Sequence, residues 1–306
     1  ADSATVDDAY ERVTYRGAFM EMFGVPMFYT PYLSHPTPEA RGKSGILAPS
    51  YGTKDKFGAI AKLPVYWRIS EDKDAVITPW ITAQEGPLLQ GEYHQLRDRG
   101  DYRAQASITH PGRIDSAGNR INGNAFRGHL FAQGVEAVGD NQRVGFDIQH
   151  ASDDTYLRRY GFGDQQALFS KGYYEYAQGR NLGLVSALSI QGLRSTDNGK
   201  TTPLMLPMLR GYYETTPSES GARFHIAADA QVLTRDQGVD QRRLSLKPGV
   251  TVPIITGNGQ VITASAIVRQ DLSTTENLAL AGGGTYSGTQ ARTLPQASLE
   301  WRYPLM

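Results

Sequence analysis

The sequence contains no cysteine, carries no net charge and has no long apolar run. Without cysteine there is no disulfide framework, no thiolate metal site and no cysteine nucleophile, although the redox compartment stays open. The 31 Lys and Arg residues balance 31 Asp and Glu. The cationic excess with which a protein grips a phosphate backbone is therefore missing, and nucleic acid is set aside as a partner. No stretch approaches the roughly 18 to 20 consecutive apolar residues of a membrane-spanning helix. The start, Ala1 to Asp8, is acidic with no apolar segment of signal-peptide type, so any export signal is expected to have been removed or to lie upstream. A negative mean hydropathy leaves a membrane barrel open, because its strands alternate lipid-facing apolar with lumen-facing polar residues.

What the sequence does have is a period of two. Val144, Phe146 and Ile148 alternate with Gly145, Asp147 and Gln149, and Tyr102, Ala104, Ala106 and Ile108 alternate with Arg103, Gln105 and Ser107. From Ala222 to Val232 the apolar Phe224, Ile226, Ala228 and Ala230 face one way, while Arg223, His225, Asp229 and Gln231 face the other. That run is long for a soluble strand of about 5 to 6 residues and suits the roughly 9 to 11 residues that cross a bilayer at a tilt. Leu299, Trp301, Tyr303 and Leu305 repeat the pattern.

About fourteen such segments follow Ile46. Short turns near Asp72, Arg99, Asp140, Gly179 and Gly259 tend to alternate with long connections over His110 to Ala125, Ser152 to Gln166, Ser195 to Thr202 and Ser273 to Arg292. The turns at Thr53 to Lys56 and Asp236 to Asp240 depart from this tendency. Sorting by parity is the habit of an up-and-down barrel with tight turns on one membrane side. Before Ile46, Val13 to Phe19 and a second run through Tyr29 read as strands, and Pro31 to Pro38 as a stiff connector that ends pairing. A boundary is expected near Arg41 to Ser44.

The stretch Tyr15 to Pro26 (YRGAFMEMFGVP), then Pro31 to Pro36 (PYLSHP) and Lys43 to Ser50 (KSGILAPS), closely resembles the LptD family of outer-membrane lipopolysaccharide-assembly proteins. Asp153 to Tyr160 (DDTYLRRY) and Leu299 to Leu305 (LEWRYPL) are similar to that family too. The resemblance implies an all-β chain: a transmembrane antiparallel β-barrel over 45–306, half of one of about 26 strands, preceded over 1–44 by the last strands of a periplasmic β-jellyroll. It implies an internal portion of a longer protein, in the outer membrane of a Gram-negative cell with its N-terminal part periplasmic. The partners implied are lipopolysaccharide, outer-membrane lipids, a lipoprotein plug (LptE) and a periplasmic bridge (LptA). The cysteine pairs known in enterobacterial members are absent here, which puts disulfide-controlled maturation in doubt.

Moving an acylated lipid with its bulky sugar needs an apolar trough, a hydrated lumen and a wall that opens. Pro49 and Pro64 fall in the first two barrel strands, and proline has no N–H to give. If the hairpin centres on Lys54 and Asp55, Pro49 lies opposite Ile60 and Pro64 opposite Gly45. The family's lateral gate has prolines on these strands; prolines that merely mark strand ends are the plainer alternative. Phe19, Met20, Met22 and Phe23 form an adaptable apolar cluster that suits acyl chains, or equally an ordinary core. Arg103, Arg143, Arg223 and Arg243 fall on the lumen side, where guanidinium groups pair with phosphate or simply solvate the interior.

Enzyme chemistry is weakly signalled. There is no G-x-S-x-G, Gly42-Lys43-Ser44 lacks the upstream glycine of a P-loop, and the six histidines show no metal-ligand spacing, so no catalytic residue and no cofactor is expected. Asp153 and Asp154 open a polar loop and suit the cap of a short helical turn. Two other readings stand beside the transport one. A self-contained porin-like or fatty-acid-type channel is one; a soluble β-sandwich, whose alternating apolar faces would be buried, is the other.

Overall fold

A computed structural model describes residues 1–7, 12–22, 25–36, 43–54, 57–111, 113–114, 120–121 and 126–303. The chain divides into two compact units, Ala1–Gln133 with Ala151–Phe162, and Gly134–His150 with Gly163–Met306.

The first unit opens with a three-stranded antiparallel sheet of β1 (Ser3–Asp7), β2 (Arg12–Met22) and β3 (Val25–Pro36), in that order. The proline-rich stretch does not end pairing as expected, since β3 stays in register with β2 as far as Arg12 opposite Pro36. Among the described residues β3 has a partner on one side only, and an edge strand tolerates residues that cannot donate. Half of the expected boundary, residues 41–42, lies outside the described residues. A second ladder follows: β4 (Gly45–Ile46), β5 (Ser50–Lys54), β6 (Gly58–Lys62), β7 (Val65–Ser70), β8 (Lys73–Thr82), β9 (Leu88–Arg97) and β10 (Gly100–Thr109). In it β10, β9 and β8 pair antiparallel, β8 carries both β6 and β7, and these carry β5 and β4. A two-residue hairpin, β11 (Arg113–Ile114) with β12 (Arg120–Ile121), lies in the next connection.

β13 (Arg127–Gly139) begins in the first unit and ends in the second. The second unit continues with β14 (Gln142–Ala151), β15 (Ala167–Gln178), β16 (Asn181–Gly192), β17 (Leu204–Glu214), β18 (Arg223–Thr234), β19 (Asp240–Ile255), β20 (Val261–Ala279) and β21 (Thr285–Arg302). From β14 to β21 each strand pairs antiparallel with the next. β5 and β21 each have one partner strand among the described residues, so neither ladder is closed. Strands interrupted by proline, counted as one each and without the small hairpin, number fourteen after Gly45.

The registers turn the period of two into surfaces. Val144, Tyr174, Val185, Leu209, Ala230, Leu244, Leu272 and Ala291 lie opposite one another in sequence, one row across all eight strands from β14 to β21. The neighbouring row, pointing to the other face, is Arg143, Glu175, Leu184, Arg210, Asp229, Ser245, Asp271 and Arg292. The apolar row stays exposed. Among the described residues ten hydrophobic side chains are buried, and of these Leu168 and Leu193 belong to the second unit, whose apolar row is not covered. A soluble sandwich predicts that face to be buried, and it gains no support here.

Connections 71–72, 98–99, 140–141 and 179–180 are two residues each, against 110–126, 152–166 and 193–203. The expected long loop from Ser273 to Arg292 is instead mostly strand, because β20 and β21 run 19 and 18 residues before a turn at 280–284. Its Thr and Ser residues suit a pleated ladder as well as a loop, and Thr274 and Thr289 share a hydrogen bond of 3.0 Å across it.

Gly128 tests the close approach of strands in the first unit. A Cβ there would run into the backbone carbonyl of Ser107, whereas nothing lies within 4 Å of the same position at Gly172. Gly128→Ala should cost about 1–3 kcal/mol of overpacking, and Gly172→Ala less than about 0.5 kcal/mol. Urea unfolding in a membrane mimetic measures both.

Candidate functional site

The first two strands after Gly45 are each broken at proline. β5 and β6 pair from Ser50 opposite Lys62 to Lys54 opposite Gly58, and β4 and β7 pair as Gly45 with Tyr66 and Ile46 with Val65. Between these ladders stand three residues on one strand, Leu47 to Pro49, and two on the other, Leu63 and Pro64. This is a bulge, and it contains both prolines. One backbone bond crosses near it, from Leu47 N–H to the Pro64 carbonyl at 2.9 Å. On the other side β6 and β7 share one register with β8, Lys62 opposite Trp80 and Val65 opposite Ile77, with the ladder interrupted at Leu63 and Pro64, where Leu63 N–H donates to the carbonyl of Pro79, itself no donor, at 3.2 Å.

The expected partners of the prolines are therefore corrected. The hairpin tip lies beyond Lys54, where Phe57 N–H donates to the Lys54 carbonyl at 3.0 Å and Gly58 takes φ +65. That wider tip, with the bulge, moves the partners by three and two positions, so Pro49 sits at the level of Leu63 and not Ile60, and Pro64 near Leu47 and not Gly45. Each missing bond forgoes about 0.5–1.5 kcal/mol.

In the small sheet Phe19 is half exposed, its ring centroid 4.9 Å from that of its cross-strand partner Tyr29. Met20 and Met22 belong to β2 by their backbones, but their side chains, and all of Phe23, lie outside the described residues.

All four expected arginines are paired with carboxylates. Arg103 reaches Asp101 at 3.0 Å, Arg143 reaches Glu175 at 2.8 Å, Arg223 reaches Glu214 at 3.3 Å and Arg243 reaches Asp271 at 3.9 Å. On the polar face of the second unit Asp229 is shared by Arg210 and Lys247, and Asp271 by Arg243 and Arg269. Lys171, Arg210, Arg243, Lys247 and Arg269 line one open trough of about 480 Å³ there. The sequence reading missed Lys171, Arg210, Lys247 and Arg269, although the same alternation marks them.

The larger surprise is the connection 152–166. The run from Asp153 is a buried plug and not an outer polar loop. A single helical turn, α1 (Tyr156–Tyr160), buries Tyr156 completely, with Leu157 and Tyr160. It sits in the first unit with Phe57, Ile60, Trp80, Leu88, Ser107, Thr109 and His129, all buried. The helix cap is Thr155 and not Asp153 or Asp154 as expected; Asp153, two residues earlier, accepts from the Thr155 N–H at 3.1 Å. Arg127 clasps Asp153 through two bonds of 2.8 and 2.7 Å and donates to Thr155 Oγ1 at 2.9 Å. Arg159 pairs with Glu85 in the β8–β9 turn. Gly161 ends the helix at φ +77, its N–H bonded to the Leu157 carbonyl. The spacing of Tyr156, Leu157 and Tyr160 is helical in a chain whose period is otherwise two, and it is the signal that could have found this element.

Ser107 Oγ lies 2.6 Å from His129 Nδ1 and 2.6 Å from the Tyr156 hydroxyl. Both residues are buried beneath Tyr156, so the contact is a packing network and Oγ is closed to a substrate. Among the described residues no group of His, Asp and Glu could hold a metal ion, and no helix is long and apolar enough to cross a membrane.

A family model described as LptD, LPS transport system D, matches residues 125–306. The chain belongs to the LptD family. It is 27% identical to an LPS-assembly protein LptD of Methylococcus capsulatus over 87% of this chain and 26% of that protein. It is 26% identical to one of Pseudoalteromonas atlantica over 98% of this chain and 38% of that one, and 32% identical to one of Alkalilimnicola ehrlichii over 49% and 19%. The chain thus spans a quarter to two fifths of the more fully matched LptD relatives.

In this LptD-family chain α1 is held by charge as well as packing. Burial pushes the Asp153 carboxyl up, but the bonds from Arg127, Thr155 and Ser152 outweigh it and hold it well below the usual carboxylate range. The Tyr156 phenol is pushed up to about 12 by burial and stays neutral. A depressed carboxylate stabilises the docked segment fully above the unfolded value of about 3.9 and progressively less as pH falls below it. Asp153→Asn should lower stability at neutral pH by about 1–3 kcal/mol and flatten the acid limb. Limited proteolysis within 152–166 across a pH series checks both.

Proposed function

We propose that the chain is part of a conduit that carries lipopolysaccharide to the outer leaflet of the Gram-negative outer membrane, and that its strands from Gly45 onward form the first half of the barrel. The observation that carries this is the unburied apolar row from Val144 to Ala291 beside a charged row one residue away, in a chain of the LptD family. Hydrocarbon is the solvent such a face fits, and water the solvent of the other. Residues 1–44 are then the last strands of a periplasmic jellyroll, with Phe19, Met20, Met22 and Phe23 on the acyl path. A lipoprotein plug (LptE) and a periplasmic bridge (LptA) are the partners in this reading, and energy comes from outside the chain. A porin-like channel gains no support from a family whose relatives are named for LPS assembly.

Pro49 and Pro64 weaken the first strand pair and so ease the opening of the wall through which the lipid leaves. The bulge between Ile46 and Ser50 supports this, since it shifts the first strand's register, whereas β6 and β7 hold the same register with β8 on either side of Pro64. Replacing both by threonine in the full-length protein should restore donors and slow the appearance of new lipopolysaccharide at the cell surface by about tenfold, the equivalent of roughly 1.4 kcal/mol. Pulse-labelled surface lipopolysaccharide measures the rate, and an unchanged rate removes the gate role. Leu244→Arg, in the middle of the apolar row, should cost about 2–4 kcal/mol of membrane stability.

A further inference from the structure

We infer that the segment 153–162 is a clamp on the tip of the first strand hairpin, with Tyr160 and Arg159 as its positioning residues, so that the wall yields at the proline end of the hairpin and stays shut at the tip. The inference rests on the transport reading for its purpose and on the first unit alone for its geometry.

The tip is held from three directions. Phe57, at the turn between β5 and β6, is buried, and its ring centroid lies 5.3 Å from that of Tyr160. Its carbonyl accepts from Gln84 N–H at 3.2 Å, and the Ala59 carbonyl accepts from Ala83 N–H at 3.0 Å, which ties the tip to the β8–β9 turn. That turn is in turn bound to the clamp by Glu85 and Arg159. Phe162, one residue past the helix end, packs against Trp80 at 5.6 Å and His129 at 4.3 Å. Lys54 brings its ammonium beside Gly161, where the helix ends on free carbonyls that favour a cation.

At the opposite end no aromatic ring is buried among the described residues. Before the bulge, the strand pairs with β7 at two positions, joined by the Leu47 bond and the Arg68 N–H donated to Ser44 Oγ at 2.8 Å. Five paired residues, or about 17 Å of strand, separate the two ends. One end is tied by backbone bonds, buried rings and an ion pair, and the other by a short ladder that has lost donors. Thermal opening follows the lower local stability, which is the proline end.

Pulsed electron resonance on spin-labelled full-length protein in its membrane tests this. Labels at Leu47 and Ile77 report the proline end, and labels at Tyr51 and Ile81 the tip; all four positions are exposed. The first pair should give a distance distribution at least about twofold broader than the second. Tyr160→Ala and Arg159→Ala should broaden the tip pair toward the first, Tyr160→Phe should leave it narrow, and Arg158→Ala, at an exposed position, should change nothing. Glu85→Gln, which keeps size and removes the ion pair, replaces Tyr160→Ala should that variant fail to fold. Equal widths in the unmodified protein, or a tip unmoved by both Arg159→Ala and the Tyr160 or Glu85 variant, overturn the clamp. These distances are read without lipid export, so a failed export test and a failed clamp are told apart.

Discussion

Backbone pairing between neighbours is what holds the second unit together, because almost nothing is buried in it. Two buried hydrophobic residues cannot supply the apolar burial that folds a soluble domain of this size. From β14 to β21 the ladders pair amides within the sheet, with register shifts at Ser186–Leu188, Met205–Met208 and Thr275–Leu278, and such pairing is the condition hydrocarbon imposes on any strand that enters it. Stability then resides in contiguous registers, and any place where a register slips is a place where the sheet is cheap to part. Pro49 and Pro64 make such a place between the first two strands, while β6 and β7 keep the same register with β8.

The first unit obeys a different economy near its turns. There the face that is polar elsewhere carries Ile60, Trp80, Leu88 and His129, and α1 covers them with Tyr156, Leu157 and Tyr160. At about 25 cal/mol per Å² of apolar surface removed from water, three such side chains contribute several kcal/mol in one short segment. A loop of fifteen residues would otherwise stay mobile at the cost of no contact. Here it spends its aromatic residues inward, and the ion pairs of Arg127 and Arg159 fix its entry and its end.

The strand pattern was legible because alternation is local. Val144 to Ile148 and Ala222 to Val232 declare both faces without any knowledge of partners, whereas the carboxylates at 153 and 154 signalled a short helix but not its cap, which is Thr155. Register was not legible, since it depends on where a turn closes. A tip that closes beyond Lys54 rather than on it, with the bulge behind it, displaced the partner of Pro49 by three positions and that of Pro64 by two. Polarity misled over Ser273 to Arg292, because a strand that outruns its apolar face is polar on both sides and looks like a loop. It misled again over α1, where two arginines on a short helix hid the tyrosines that turn inward.

Charge on the polar face of the second unit follows from the same alternation and bears on the proposed cargo. A carboxylate shared by two cations, as Asp229 is by Arg210 and Lys247, leaves one positive charge incompletely matched. Asp271 repeats the arrangement two strands away with Arg243 and Arg269. Under the proposed transport reading, a phosphorylated sugar moving along this face would meet cations already partly neutralised. Bare arginines would bind phosphate by bidentate bonds and hold it, whereas a path must bind well enough to admit and loosely enough to release. Carboxylates shared between cations would serve that balance, with residues that the register alone brings into line.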